Sequence, residues 1–279
     1  MSGPNRFCFR GGEILVRDHG GQTSNVPGLP AGVNPAAAPV PGSSADLDAA
    51  AAPLSDHADR LVFPGDGTAA ELYPAETPAP CGWAWLPFRG VIGALPDGEW
   101  RAAAKAMAFV NWRTATRFCG RCGAPNGDKA DELARLCPAC GALSFPRISP
   151  AVLAVVKKDN RLLLARNVAN KTGVWSLLAG FIEPGETLEG CVAREVFEEV
   201  RIVVEPGAYL GSQPWPFPDQ LMFGMAAEWV SGELAPDGVE IAEAGWFGPD
   251  DHPPVPMYGS LSRRLIDAAF AEIAASARS

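Results

Sequence analysis

Apolar and polar residues alternate in short blocks along this 279-residue chain, with one long stretch that follows neither period. The run FCFRGGEILVR, Phe7 to Arg17, reads as two short strands around a Gly-Gly turn. His19 to Pro53 is dominated by Gly, Pro, Ala and Ser and has few large apolar residues to bury, so a flexible surface excursion is expected there. A Pro-rich partner-binding segment is the competing reading, but no PxxP context with flanking basic residues supports it. Arg60 to Val91 returns to β-like runs, RLVF and WAWLPFRGVIG, in which Trp83, Trp85 and Phe88 are expected to be core or interface aromatics. Glu99 to Thr116 predicts a helix after the Pro96-Asp97-Gly98 turn, with Trp100, Ala104, Met107 and Val110 near helical spacing.

The second half has the same texture. Ala151 to Lys157 and Arg161 to Arg166 read as strands joined at Asp159-Asn160, with a third at Val174 to Ala179. Further strands are expected at Val203-Val204, Leu221 to Val230 and Gly245 to Gly248. A last helix, Ser260 to Ala275, sets Leu261, Leu265, Ile266 and Ala269 on one face. The pattern predicts an α/β (α+β) architecture with a mixed sheet and helices on both sides, preceded by a small, mostly β N-terminal domain.

Between the third and fourth of these strands, Gly180 to Ile202 is a Gly-rich turn leading into a helix rich in carboxylates. At about 100° per residue Glu195 and Glu199 share a face with Glu198 beside them, next to an apolar stripe of Val192, Ala193, Val196 and Val200. Like charges so close repel unless a cation lies among them. Mg²⁺ or Mn²⁺ fits, because hard cations take oxygen ligands and are commonly shared between carboxylates and a substrate phosphate. Phosphoanhydride hydrolysis is therefore the expected chemistry, with Arg194 pairing Glu198 one turn away. The plain alternative is an acidic, solvated helix face.

Composition narrows the setting. With 47% hydrophobic and 20% charged residues the chain is ordinary globular material with room for two domains or more. A net charge of −9 argues against a sequence-independent nucleic-acid binder. The first residues lack an apolar signal core and no uncharged apolar run reaches about 18 residues, so a cytoplasmic protein without membrane attachment is expected.

Cys119-Gly-Arg-Cys122 and Cys137-Pro-Ala-Cys140, each followed by glycine, put four thiolates on two tight turns. That arrangement suits structural Zn²⁺; paired disulfides or redox motifs are the alternative. Cys8, Cys81 and Cys191 are left as free buried thiols. Downstream, SQPWPFP alternates three prolines with two large aromatics, a stiff platform for a flat ring or a loop sealing the domain edge.

Gly180, Glu186, Arg194, Glu195, Val196, Glu198, Glu199 and Ile202 fit the pattern Gx5Ex7REUxEExGU, with U aliphatic, at every defined position but one, where Arg201 replaces a glycine. The segment thereby resembles the Nudix hydrolase family. With four cysteines upstream and SQPWPFP downstream, Phe118 to the C-terminus is similar to the family's NADH pyrophosphatase branch, Gln220 standing where that branch has serine. The resemblance implies an α/β/α sandwich at residues 146–279, a zinc ribbon at 117–145 and an N-terminal domain at 1–116 with the excursion at about 19–53.

It further implies that Glu195, Glu199, Glu240 and the main-chain carbonyl of Ala179 bind Mg²⁺ or Mn²⁺, with Arg194 and Glu198 completing the catalytic set. Phe181 would pack on a base, with Phe145 and Ser262 as further substrate contacts. Gln213, Pro214, Trp215, Pro216, Phe217, Pro218, Asp219 and Gln220 would form a substrate loop. Branch members are homodimers whose site is completed across the interface, which implies a dimer here. The implied reaction is hydrolysis of NAD(H) to AMP and nicotinamide mononucleotide, extending to the NAD cap of RNA. A broader ADP-ribose-type pyrophosphatase and a non-catalytic dinucleotide sensor are the alternatives. His19, His57 and His252 lie outside the box, which leaves Glu198 or Glu199 as candidate general base.

Overall fold

A computed structural model describes residues 6–17, 59–62, 69–95 and 97–276. The expected excursion at His19 to Pro53 lies outside these residues, as do His19 and His57. The chain divides into two compact units, Met1–Arg147 with Pro216–Asp219, and Ile148–Trp215 with Gln220–Ser279.

In the first unit, strands β1 (Arg6–Arg10), β2 (Glu13–Arg17), β3 (Asp59–Val62), β4 (Ala69–Tyr73) and β5 (Trp83–Pro87) form one sheet in the order β3-β4-β1-β2-β5. Alternation along β1 decides which residues go to which face. Cys8 joins Leu15, Tyr73 and Trp85 on one side. On the other, Phe9 meets the Phe88 ring edge-on at 5.7 Å, and Phe88 stacks on Trp100 at 5.0 Å. Trp100 begins the buried stripe of helix α1 (Asp97–Ala115), continued by Ala103, Ala104, Met107 and Val110.

Two expectations change here. The run WAWLPFRGVIG is not strand throughout: Pro87 ends β5, and Phe88–Ala94 coils into a 3-10 helix. Proline brings no N–H to a ladder, and the next amide, Phe88, donates instead to the Gly12 carbonyl at 2.9 Å. Cys81 is exposed rather than buried, in the turn before β5. The unit ends in three short strands, β6 (Gly127–Asp128), β7 (Arg135–Leu136) and β8 (Leu143–Ser144).

The second unit is built on β9 (Ser149–Lys158), β10 (Arg161–Asn167), β11 (Leu178–Phe181), β12 (Val203–Trp215), β13 (Gln220–Ser231) and β14 (Ile241–Phe247). The order is β12-β13-β9-β10-β14, with β11 also paired to β9; β13 and β9 run parallel, which makes the sheet mixed. Successive side chains point to opposite faces, so β9 serves two cores. Val152, Ala154 and Val156, with Leu163 and Ala165, pack on helix α2 (Leu188–Val200) through Val192, Val196 and Val200. Leu153 and Val155, with Leu162 and Leu164, pack on helix α3 (Leu261–Ser276) through Leu261, Leu265, Ile266 and Ala269. Helix, sheet and helix form the layered sandwich.

Strand limits moved where apolar alternation was interrupted. The expected strand at Val174 to Ala179 lies instead at Leu178–Phe181, Ser176 making only an isolated bridge to Ala165. The strand expected at Val203-Val204 runs on to Trp215, so Ser212 to Trp215 are strand rather than loop. Register shifts at three places in β12 hide its period, and its prolines are tolerated because it is an edge strand.

Candidate active site and zinc centre

Helix α2 begins at Thr187, whose hydroxyl accepts the Gly190 amide at 3.1 Å, and Glu189 lies in the first turn where the helix dipole favours an anion. One and two turns later come the catalytic candidates. Arg194 is their hub. Its Nε and one terminal nitrogen hold both oxygens of Glu186 at 2.8 Å, and its other terminal nitrogen donates to Glu195 at 2.8 Å and Glu198 at 3.1 Å. It also donates to the Phe181 carbonyl on β11 at 2.9 Å. One planar, permanently charged group thus fixes three carboxylates and ties helix to strand.

Gly180 makes the approach of helix and strand possible. A Cβ there would lie 1.8 Å from Glu195 Cδ, so the carboxylate rests directly on the β11 backbone, beside Ala179. The electrostatics then separate the four glutamates. The Arg194 fork holds the Glu186 carboxyl down at about 2. Burial raises Glu195 against the pull of Arg194. Glu199 is only 5% exposed, and burial, followed by repulsion from Glu195, Glu240, Asp237 and Glu198, pushes it up to about 8. Its Oε2 is buried without a hydrogen-bond partner. Glu198 stays exposed.

A buried, unpartnered carboxylate oxygen ringed by other carboxylates is a poor neighbour for anything but a cation. The donor set is hard oxygen throughout and fits a divalent metal. Glu240 is presented by the turn before β14, where Asp237 accepts the amides of Val239, Glu240 and Ile241. Sequence reasoning missed Asp237, although the Pro236-Asp237-Gly238 run is a turn signal.

The other expected substrate residues are less alike than their contiguity suggested. Phe181, at the end of β11, is 50% exposed. Gln213 is buried, its amide donating to the Gly259 carbonyl at 2.8 Å and accepting the Leu261 amide at 2.6 Å, which clamps β12 to the start of α3. Ser262 is buried against Ser176, hydroxyl to hydroxyl at 2.9 Å. Trp215 and Gln220 face each other as the last pair of the β12–β13 ladder, next to exposed Pro214. Pro216 to Asp219 fall in the first unit. There Asn111 donates to the carbonyls of Pro216 and Pro218, the Arg89 guanidinium lies 4.7 Å over the Phe217 ring, and Arg147 lies 3.8 Å from Asp219. Phe145 is exposed in the same unit, and His252 stacks on Phe270, away from the glutamates' hydrogen-bond set.

The four cysteines come together. All four Sγ atoms lie within 4.8 Å of one another, with pairs at 3.7 Å and 3.5 Å, close to the edge of a tetrahedron around a zinc with bonds of about 2.3 Å. Gly123 and Gly141 turn each knuckle with φ of 76° and 71° and donate back to Cys119 and Cys137. The Arg121 amide, 3.4 Å from Cys119 Sγ, leads the interactions that lower that thiol to about 6. Against the pull of the Ala124 backbone, its cysteine neighbours push Cys122 up to about 12, so four thiols this close share protons until a cation takes their place. The set has four ligands and no fifth position, so the ribbon's zinc is structural.

The NUDIX domain model matches residues 147–268 and the NADH pyrophosphatase zinc ribbon domain model residues 115–145. The chain is 46% identical over 182 residues to the NAD-capped RNA hydrolase NudC of Chromobacterium violaceum, covering 65% of this chain and 69% of that protein. It is 41% identical over 207 residues to the protein of the same name from Stutzerimonas stutzeri, covering 74% and 75%. Among solved structures, a Nudix hydrolase from Nitrosomonas europaea superposes with a TM-score of 0.51 at 24% identity, covering 56% of this chain and 92% of that one.

Proposed function

The chain belongs to the Nudix family, and from that premise we propose that it hydrolyses the pyrophosphate of NAD(H), free and as the 5′ cap of RNA, giving nicotinamide mononucleotide and AMP or 5′-monophosphate RNA. The observation that carries this reading is the buried, unpartnered oxygen of Glu199 beneath carboxylates ordered by Arg194. Glu195, Glu199, Glu240 and the Ala179 carbonyl would hold Mg²⁺ or Mn²⁺, which supplies neutralisation of charge on the bridging and leaving oxygens.

The chain's own groups do the rest. Glu198, exposed and oriented by Arg194 at 3.1 Å, accepts the proton of the attacking water. A new P–O bond forms as the bridging P–O bond breaks, and the leaving mononucleotide takes the bridging oxygen. Arg194 is a positioning residue, and the half-exposed Phe181 ring offers a face for a base. The free thiols and the thiolate zinc site suit a reducing cytoplasm. A homodimer is part of the proposal, supported by exposed Val203, Tyr209 and Leu210 on edge strand β12; a monomer by light scattering would remove it.

Product chromatography with NADH, NAD⁺, NAD-capped RNA and ADP-ribose, each with and without metal, tests the reaction. AMP and the mononucleotide from NAD(H) are expected, and Glu199→Gln and Glu198→Gln should each lower kcat at least about 100-fold. Only Glu199→Gln should also weaken metal binding. Fastest cleavage of ADP-ribose would move the substrate assignment to the broader pyrophosphatase reading, and near-normal kcat in Glu199→Gln would sink the site.

A further inference from the structure

Glu195, Glu198 and Glu199 share helix α2, but Glu240 comes from the turn before β14, so helical spacing cannot set its place. Glu240 is exposed, and its carboxylate makes no hydrogen bond or ion pair among the described residues. Even so, it lies close enough to repel Glu195 and Glu199. What is held is its backbone. The Glu240 amide donates to Asp237 Oδ1 at 3.1 Å and to Oδ2 at 3.3 Å, and its carbonyl accepts the Val168 amide at 2.8 Å.

Asp237 also joins this turn to the helix. Its own amide donates to the Glu199 carbonyl at 3.0 Å, and the Ala235 amide donates to the Val200 carbonyl at 3.0 Å. The segment thereby satisfies two of the carbonyls that a helix end leaves without intrahelical partners. Asp237 Oδ1 further accepts the amides of Val239 at 3.0 Å and Ile241 at 2.9 Å. Ile241 is buried with Val196 and Val200, and Gly238, with φ of 71°, donates to its carbonyl at 3.0 Å, which closes the turn. A single residue thus grips the backbone of Glu199 through its amide and that of Glu240 through its carboxylate. Ligands drawn from two elements need such a partner, because the groups behind metal ligands fix their orientation and spacing.

We propose that Asp237 is a positioning residue of the metal site, its Oδ1 setting where Glu240 stands relative to the carboxylate end of α2. The proposal rests on the metal reading of the glutamates given above. The role belongs to the oxygen as an acceptor: three amides converge on Oδ1, an atom that asparagine keeps and alanine lacks.

The test is Mn²⁺ binding to full-length, zinc-loaded protein without substrate, followed by electron paramagnetic resonance. Asp237→Ala should weaken Mn²⁺ binding about 10- to 100-fold, and Asp237→Asn should recover most of that loss. Combined with Glu240→Gln, Asp237→Ala should add little to the loss caused by Glu240→Gln alone, since both changes act on one ligand. With NADH as substrate, the Mn²⁺ concentration for half-maximal rate should rise in Asp237→Ala while kcat at saturating Mn²⁺ returns toward the wild-type value. Wild-type Mn²⁺ affinity in Asp237→Ala overturns the proposal, as does an additive loss in the double variant. Should the alanine variant fail to fold, an Asp237→Asn protein that binds Mn²⁺ as poorly as Glu240→Gln overturns it instead. Weakened binding rescued by asparagine supports the proposal even if NAD(H) is not cleaved, a result that would count against the substrate reading alone. A wild-type protein that binds no Mn²⁺ would remove the metal reading and this proposal with it.

Discussion

Arg201 closes α2 with φ of 63°, the left-handed conformation that glycine adopts without strain, and its amide donates to the Phe197 carbonyl at 3.0 Å. The helix exit keeps its geometry despite the substitution, and the guanidinium lies 5.6 Å over the Phe197 ring. The departure from the box is therefore a matter of stability: Arg201→Gly should raise unfolding free energy by up to about 1 kcal/mol in chemical denaturation, with kcat unchanged. Glu199 makes a different prediction. Its folded-state value, about 8, lies above its ordinary 4.5, so between those limits the folded, metal-free protein retains a proton that the unfolded chain has released. Stability of the metal-free protein should then fall as pH rises across that window, and Glu199→Gln should flatten the dependence in denaturant titrations. Adding Mg²⁺ should offset the fall, because the ion displaces the proton.

At the scale of elements, the site depends on how closely β11 and α2 approach. The glutamates of the box were legible because helical spacing alone gathers Glu195, Glu198 and Glu199. What spacing did not reveal is that Glu195 folds back over Gly180, leaving no room for a Cβ. Gly180→Ala should consequently displace the carboxylate or part the strand from the helix, lowering kcat/KM about 10- to 100-fold in steady-state assays while zinc content stays constant. Strand β12 shows the opposite case. Pro206, Gly207 and Pro214 disguise it as a loop, and only its position at the sheet edge reveals why those residues are tolerated.

For the whole molecule, the two compact units divide the chemistry, with the glutamate site in one and the zinc ribbon in the other. Three two-residue strands joined in two pairings bury too little to hold a fold, so the ribbon's stability comes from its metal. Chelation under reducing conditions should make residues 117–145 the first site of limited proteolysis, and readdition of Zn²⁺ should restore protection; unchanged resistance after verified metal loss would rule out a structural zinc. Among the described residues no helix is long and apolar enough to cross a membrane.

The amino-acid sequence by itself determined the chemistry whose parts lie within a few residues of one another. A helix brings residues three and four apart onto one face, and two CxxC turns place thiols together, so the box, the ribbon and the layered fold could be read directly. Only tertiary structure decided the rest. Burial among distant carboxylates set Glu199 apart from Glu195, and packing turned Gln213 into a clamp on α3. Burial, desolvation and charge density depend on which surfaces meet, and spacing along a chain does not encode that.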